Sequence, residues 1–232
     1  FKTYFGSAYA QIPNRGFVPE TTVGYKQTEK LTTDQTKAAE YMAAAGYFEK
    51  NTNGFYVNAA GQVASFTLTV NAAKEAHVGY AEMIKNQLEQ FGIQVNLDTV
   101  DKDSYNAKTS NKFSENNITM EAAIYGYTAA GMGMKNGLAT IYVDGTHPVQ
   151  GGCQVFDEGF QAILAEMSAA KTLDEYSAAA SEMQDWYAAH MPFIALYWDS
   201  QLLAHSAAYE NFTVDAVFGL NNANTWFSIT AK

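Results

Sequence analysis

The scarce reactive side chains are four histidines, one cysteine and one arginine: His77, His147, His190, His205, Cys153 and Arg15. No histidine has a second ligating residue at a metal-site spacing. His190 follows Glu182 and Asp185 on one predicted helix, but no HExxH pattern is formed, so no metal and no cofactor is expected. A single cysteine excludes an internal disulfide and any multi-cysteine metal site. It also lacks a recognisable base partner for nucleophilic work. No GxSxG elbow occurs. The run from Gly131 through Met132, Gly133, Met134 and Lys135 to Gly137 has neither the GxxxxGK[ST] nor the GxGxxG spacing that cradles phosphate. Asp98, Asp101 and Asp103 are carboxylates too generically placed to form a glycosidase pair. No catalytic residue is assigned. Enzyme chemistry would need distant residues to converge.

Binding is the chemistry that remains. Tyrosine (15) and phenylalanine (14) are abundant in a chain with only 16% charged residues. A tyrosine offers a flat apolar face and a polar tip, which suits ligand clefts and also suits a β-rich core.

These side chains must be positioned by elements that the hydrophobic pattern outlines. Residues 1–30 read as irregular, broken by Pro13, Gly16 and Pro19. Thr32 to Gln35 has the form of a helix start, with Thr32 as hydroxyl cap. Ala38, Ala39, Met42 and Ala43 make the apolar stripe and Gly46 the stop. Asn51 to Gly61 reads as a hairpin connection. Phe66, Leu68 and Val70 alternate with threonines as in a strand. Val78, Ala81, Ile84, Leu88 and Phe91 recur at steps of three and four, predicting a helix over 75–91 that Gly92 ends. Ile93, Val95 and Leu97 alternate again. This β–α–β run implies two parallel strands joined by a helical crossover.

Further on, a short helix is predicted within Asp101 to Phe113, with Tyr105 and Phe113 on its apolar side, and a strand within Ile118 to Tyr125. Tyr125 to Gly137 reads as a loop. Helices follow at about 156–170 and 173–189, the second opened by a capping box from Thr172 to Glu175. Pro192 ends it, Phe193 to Trp198 reads as an apolar strand, and short strands and turns fill the rest. The order implies an α/β class.

Hydrophobic residues make up 47% of 232, a globular composition able to bury a core. The net charge of −10 disfavours nucleic acid and anionic membrane surfaces, which are bound through lysine and arginine clusters. No apolar run approaches the roughly 18–20 residues of a membrane span. No basic stretch with an apolar run opens the sequence, and Phe1 to Gly6 read as the middle of something, so an excised piece or processed product is expected.

Four blocks carry a resemblance. Asp34 to Tyr47 (DQTKAAEYMAAAGY) resembles a "D..kAk.LL.eAGy" helix. Leu68 to Val70 followed by Ala81 to Val95 (AEMIKNQLEQFGIQV) resembles "l.l......aeaiq.qL.kiGI.v". Ile124 to Tyr127 (IYGY) stands at the place of "..gW..d.p". Tyr176 to Trp198 is similar to the ending "a.....l......pi.ply". These are patterns of the family 5 extracellular solute-binding proteins, the oligopeptide, dipeptide and nickel-chelate binding components of ABC importers.

The resemblance implies a periplasmic-binding-protein-like (type II) lobe with a mixed sheet flanked by helices, spanning 1–232 as one domain. Segments 1–25 and 207–232 would cross to a missing N-terminal lobe. It implies a small-molecule or peptide ligand, ABC transporter permease subunits as partners, no nucleic acid, and a place in the periplasm or on a cell-surface lipoprotein. The ligand-binding candidates are Tyr125, Tyr127, Met132, Met134, Tyr197, Trp198 and Asp199. Tyr125 and Tyr127, two apart at a strand end, share a face. Peptide-binding relatives place an aspartate after the aromatic of the third block to meet the ligand's amino group. Here Ala130 stands at that position, so Asp199 or the other lobe would have to supply the charge. A secreted hydrolase with a tyrosine- and carboxylate-lined cleft is the alternative, and an adhesion module a third reading.

Overall fold

The computed structural model describes residues 10–20, 22–109, 120–124, 126, 157–200, 202–215 and 218–232. The chain divides into two compact units. The first joins the segment up to Leu31 with 128–144 and the stretch from Cys153 to Lys232; the second is Thr32–Tyr127 with 145–152.

The second unit is built on the β–α–β pattern. β4 (Ser65–Asn71) and β5 (Gln94–Val100) pair in parallel over seven residues, Leu68 opposite Leu97. The long helix α2 (Glu75–Phe91) joins them. Val70 and Val95 are fully buried, with Tyr80 and Ala81 of α2 among the core residues. Each such valine contributes about 1.5–3 kcal/mol through burial. The helix ends at Gly92 for two reasons. Its φ of 118° is a left-handed value that favours glycine, and a Cβ there would stand 2.9 Å from Lys50 and Tyr56 side-chain atoms. β6 (Ala122–Ala123) adds to the other side of β4, also in parallel, giving the order β5-β4-β6.

α1 (Gln35–Ala44) precedes this sheet, and an antiparallel hairpin of β2 (Tyr47–Lys50) and β3 (Tyr56–Asn58) follows it. α1 is capped by Asp34, which accepts from the Lys37 N–H, and not by Thr32. A carboxylate one residue before the helix is the better-placed acceptor. α3 (Lys102–Thr109) buries Tyr105 as expected; Phe113 lies outside the described residues.

The first unit is anchored by the hairpin of α4 (Glu158–Ala169) and α5 (Leu173–His190), with Phe160, Met167, Ala180, Met183 and Tyr187 buried. Thr172 and Glu175 make the expected capping box. Asp157 caps α4 through the Phe160 N–H and also accepts from the Trp186 indole at 3.1 Å.

After Met191, whose φ is 43°, the chain does not form the expected strand over Phe193 to Trp198. Among the described residues only β7 (Trp198–Asp199) pairs, antiparallel to β1 (Ala10–Gln11), and Ile12 and Pro13 form no ladder with the residues before Trp198. The expectation of strands and turns beyond 204 also needs correction. Between β8 (Tyr209–Glu210) and β9 (Thr230–Ala231) lies a helix, α6 (Ala223–Ser228), capped by Asn222.

The α/β class holds. The three-stranded sheet is wholly parallel among the described residues, and antiparallel pairs sit in separate two-stranded ribbons. No helix among the described residues is long and apolar enough to cross a membrane.

Candidate functional site

Each unit carries one feature suited to holding a ligand. In the first unit, residues 10–31 form a loop laid against α5. Its stem is closed by the Arg15 N–H to Glu29 carbonyl bond (2.8 Å), the Leu31 N–H to Pro13 carbonyl bond (3.0 Å) and an Asn14–Lys30 bridge. Its tip is clamped by Gln184, a fully buried amide on α5. Gln184 Oε1 accepts from the Lys26 N–H, and its Nε2 donates to the Gly24 and Ala180 carbonyls, each at 2.8 Å. Lys26 also pairs with Asp185 at 2.6 Å. Gly24 sits so close to α5 that a Cβ would stand 2.8 Å from that of Ala180, with φ at 81°. Inside the loop Phe17 stacks on Tyr187 (5.4 Å) and meets the Trp198 ring edge-on (5.7 Å, 65°).

Between this loop and β7 lies a cleft of about 240 Å³. Gln11 and Trp198, direct partners across the β1–β7 pair, both line it. Asn14, Tyr25, Gln27 and Thr28 contribute further polar lining. Two lining residues carry buried polar atoms without a partner. Asn14, 8% exposed, donates through Nδ2 to the Val18 carbonyl, while its Oδ1 accepts nothing. The Trp198 indole N–H likewise has no acceptor. A buried polar group left unanswered costs about 1–3 kcal/mol, and both of these atoms are closed off from solvent.

In the second unit, the carboxyl ends of the three parallel strands lie at one edge, the edge at which open α/β sheets receive ligands. There the Tyr105 hydroxyl donates to the Ile124 carbonyl at 2.8 Å, and burial pushes that phenol up to about 12. His77, in the first turn of α2, also bonds the Ile124 backbone; burial holds its pKa below the ordinary value in spite of that bond. Two side chains therefore fix the residue from which the Tyr125–Tyr127 segment departs. A second groove, on this unit, is lined by Thr67, Thr69, Asp98, Lys108, Met120 and Glu121. Its charges answer one another: Lys108 pairs with Asp98 at 2.5 Å, and Glu121 accepts from the Thr67 N–H at 2.6 Å.

Of the sequence candidates, Trp198 lines the first-unit cleft. Tyr197 is half-buried beside it in the chain, and Asp199 is exposed on β7 opposite Ala10. Tyr125, Tyr127, Met132 and Met134 lie outside the described residues. Sequence reasoning missed Asn14, Gln27 and Gln184. Pro13 and Gly16 marked the segment as irregular, but amides in a loop follow no period. No group of three histidine, cysteine, aspartate or glutamate side chains able to hold a metal occurs among the described residues.

Residues 4–146 match the family model of the bacterial extracellular solute-binding proteins, family 5, middle region. A probable ABC transporter-binding protein of Deinococcus radiodurans is 27% identical over 106 residues, which cover 44% of this chain and 17% of that protein. Among solved structures, the ABC transporter-associated periplasmic binding protein DppA of Helicobacter pylori, in complex with the peptide STSA, superposes with a TM-score of 0.69. It is 21% identical and is matched over 99% of this chain and 40% of its own. The periplasmic oligopeptide-binding protein of a Thermotoga maritima oligopeptide ABC transporter, bound to mannohexaose, gives 0.68 at 15% identity, over 96% and 45%. The chain thus spans under half the length of each of these relatives, and at these identities the structures establish the fold.

Proposed function

This chain belongs to the bacterial extracellular solute-binding proteins of family 5, and from that membership we propose that it captures a peptide or similar small solute outside the cytoplasm for an ABC importer. The observation that carries the reading is the family match over residues 4–146. The fold supports it: a parallel sheet presents its strand ends as one edge, and polar and aromatic side chains gather in a cleft beside β7.

On this reading Tyr125, Tyr127, Met132, Met134, Tyr197, Trp198 and Asp199 face ligand, and a further lobe supplies the opposite wall. Capture is then a hinge closure: the closed state alone touches ligand from both sides, so ligand shifts the population towards it. The permease subunits of the importer read the closed form. The protein acts in the periplasm or from the cell surface, where a lipid anchor would hold it.

The test is native mass spectrometry of a longer polypeptide that includes the flanking lobe, purified under non-denaturing conditions, before and after unfolding. A small molecule released on unfolding is the expected result. A protein that carries nothing and takes up nothing from a solute library contradicts the reading.

A further inference from the structure

We propose that His77 and Tyr105 are positioning residues for the solute site, together setting where the chain leaves β6 at Ile124, and that His77 does this only while its ring is neutral. This rests on the solute-capture reading and deepens it by making the strand-end edge sensitive to protons.

The geometry centres on one backbone carbonyl. From α3 the Tyr105 hydroxyl donates to the Ile124 oxygen at 2.8 Å. From the first turn of α2 His77 bonds the backbone of the same residue, and that bond favours the charged ring, as donation from a ring N–H to a carbonyl oxygen does. A carbonyl oxygen has two lone pairs, so these two donors fill it. The Ile124 N–H makes a third hold, a long one of 3.4 Å to the Thr69 carbonyl at the end of the β4–β6 ladder. β6 is two residues long, too short to fix by itself where the chain goes next. Side chains from two helices do that instead. Tyr105 and Ile124 are each 7% exposed, so neither donor nor acceptor is cheaply left unpaired.

The two donors differ in chemistry. Burial pushes the Tyr105 phenol up to about 12, so it keeps its proton throughout the neutral and acid range. His77 is half-buried beside the Tyr80 ring of its own helix, 6.0 Å away, and burial favours its neutral form. Among the described residues the charged group that bears on it is Lys74, just before α2, whose ammonium opposes protonation. Asp98 of β5 and Lys108 of α3 answer each other. A proton gained by His77 therefore creates a charge that water alone can satisfy. As pH falls through the folded-state value, below 6.5, the imidazolium turns to solvent. Ile124 is then held by Tyr105 alone, and the chain that departs from it loses one of its two side-chain anchors.

The experiment is proton–nitrogen NMR on the full chain, titrated from about pH 7.5 to 5.0. It follows the Ile124 and Gly126 amides beside the His77 Cε1 proton. The expected result is that both amides move with the midpoint of His77, below 6.5, and that exchange of the Ile124 N–H, corrected for its intrinsic pH dependence, speeds about 3–10-fold across that midpoint. His77→Gln, which keeps a donor without a titration, abolishes the movement. In Tyr105→Phe the movement persists with larger amplitude, because His77 is then the only side-chain donor. Amides that do not follow the His77 midpoint overturn the proposal, as does a titration that survives in His77→Gln or shrinks in Tyr105→Phe. The wild-type comparison decides by itself if a variant does not fold. Failure of solute capture would show separately, as a longer polypeptide that releases no small molecule on unfolding, with these resonances titrating all the same.

Discussion

At the scale of single residues, the first-unit cleft depends on how closely its loop lies on α5, and Gly24 sets that distance. Alanine at position 24 would hold a left-handed φ and press its Cβ onto that of Ala180. Gly24→Ala is expected to destabilise the protein by about 1–3 kcal/mol, read as a lower urea midpoint at unchanged slope. In the second unit, His77 is held neutral by burial, and its pKa in the folded state lies below the ordinary 6.5. The unfolded chain therefore takes up a proton at this site first as pH falls. The contribution of His77 is full above 6.5 and is lost as pH drops through that value towards the folded one. Melting curves between about pH 7.5 and 5.5 should show the wild type losing stability relative to His77→Gln on acidification. A difference that is flat, or that grows on acidification, would contradict this.

At the scale of elements, the parts most readable from sequence were those with a strong period and a clear stop. β4, α2 and β5 fall where alternation and the three-and-four spacing put them, because one face of each is buried and Gly92 ends the helix by geometry. The capping box at Thr172 was equally readable, since both of its hydrogen bonds are local. Thr172→Ala should cost about 1 kcal/mol in denaturant unfolding, with faster amide exchange in the first turn of α5.

The failures have a common cause: the pairing or packing that decides them is remote in sequence. Phe193 to Tyr197 carry strand-forming side chains, yet β1 offers partners only to Trp198 and Asp199. α6 is a six-residue helix held by polar bonds, Asn222 Nδ2 to the Thr213 and Gly219 carbonyls and the Thr225 hydroxyl to Thr213, so it shows no apolar stripe. Within the cleft, Trp198 was foreseeable as an aromatic at the end of an apolar run. Asn14 and Gln184 were not, because a loop clamped by an amide 160 residues away from Gly24 leaves no pattern in the sequence.

At the scale of the whole molecule, we propose that this chain supplies one side of a solute site. It spans 17% of the curated relative's length and 40% and 45% of the two solved structures. A ligand enclosed from both sides gains contacts that either side alone cannot give, and affinity follows from enclosure more than from any one residue.

The most direct test is calorimetric titration of one solute, identified from the protein as purified, into two samples: this chain alone, and a longer polypeptide that includes the flanking lobe. The expected result is micromolar or tighter binding by the longer polypeptide and binding weaker by at least about 100-fold, some 2.7 kcal/mol, by this chain alone. Equal affinity in the two samples, or no binding by the longer polypeptide, would contradict it.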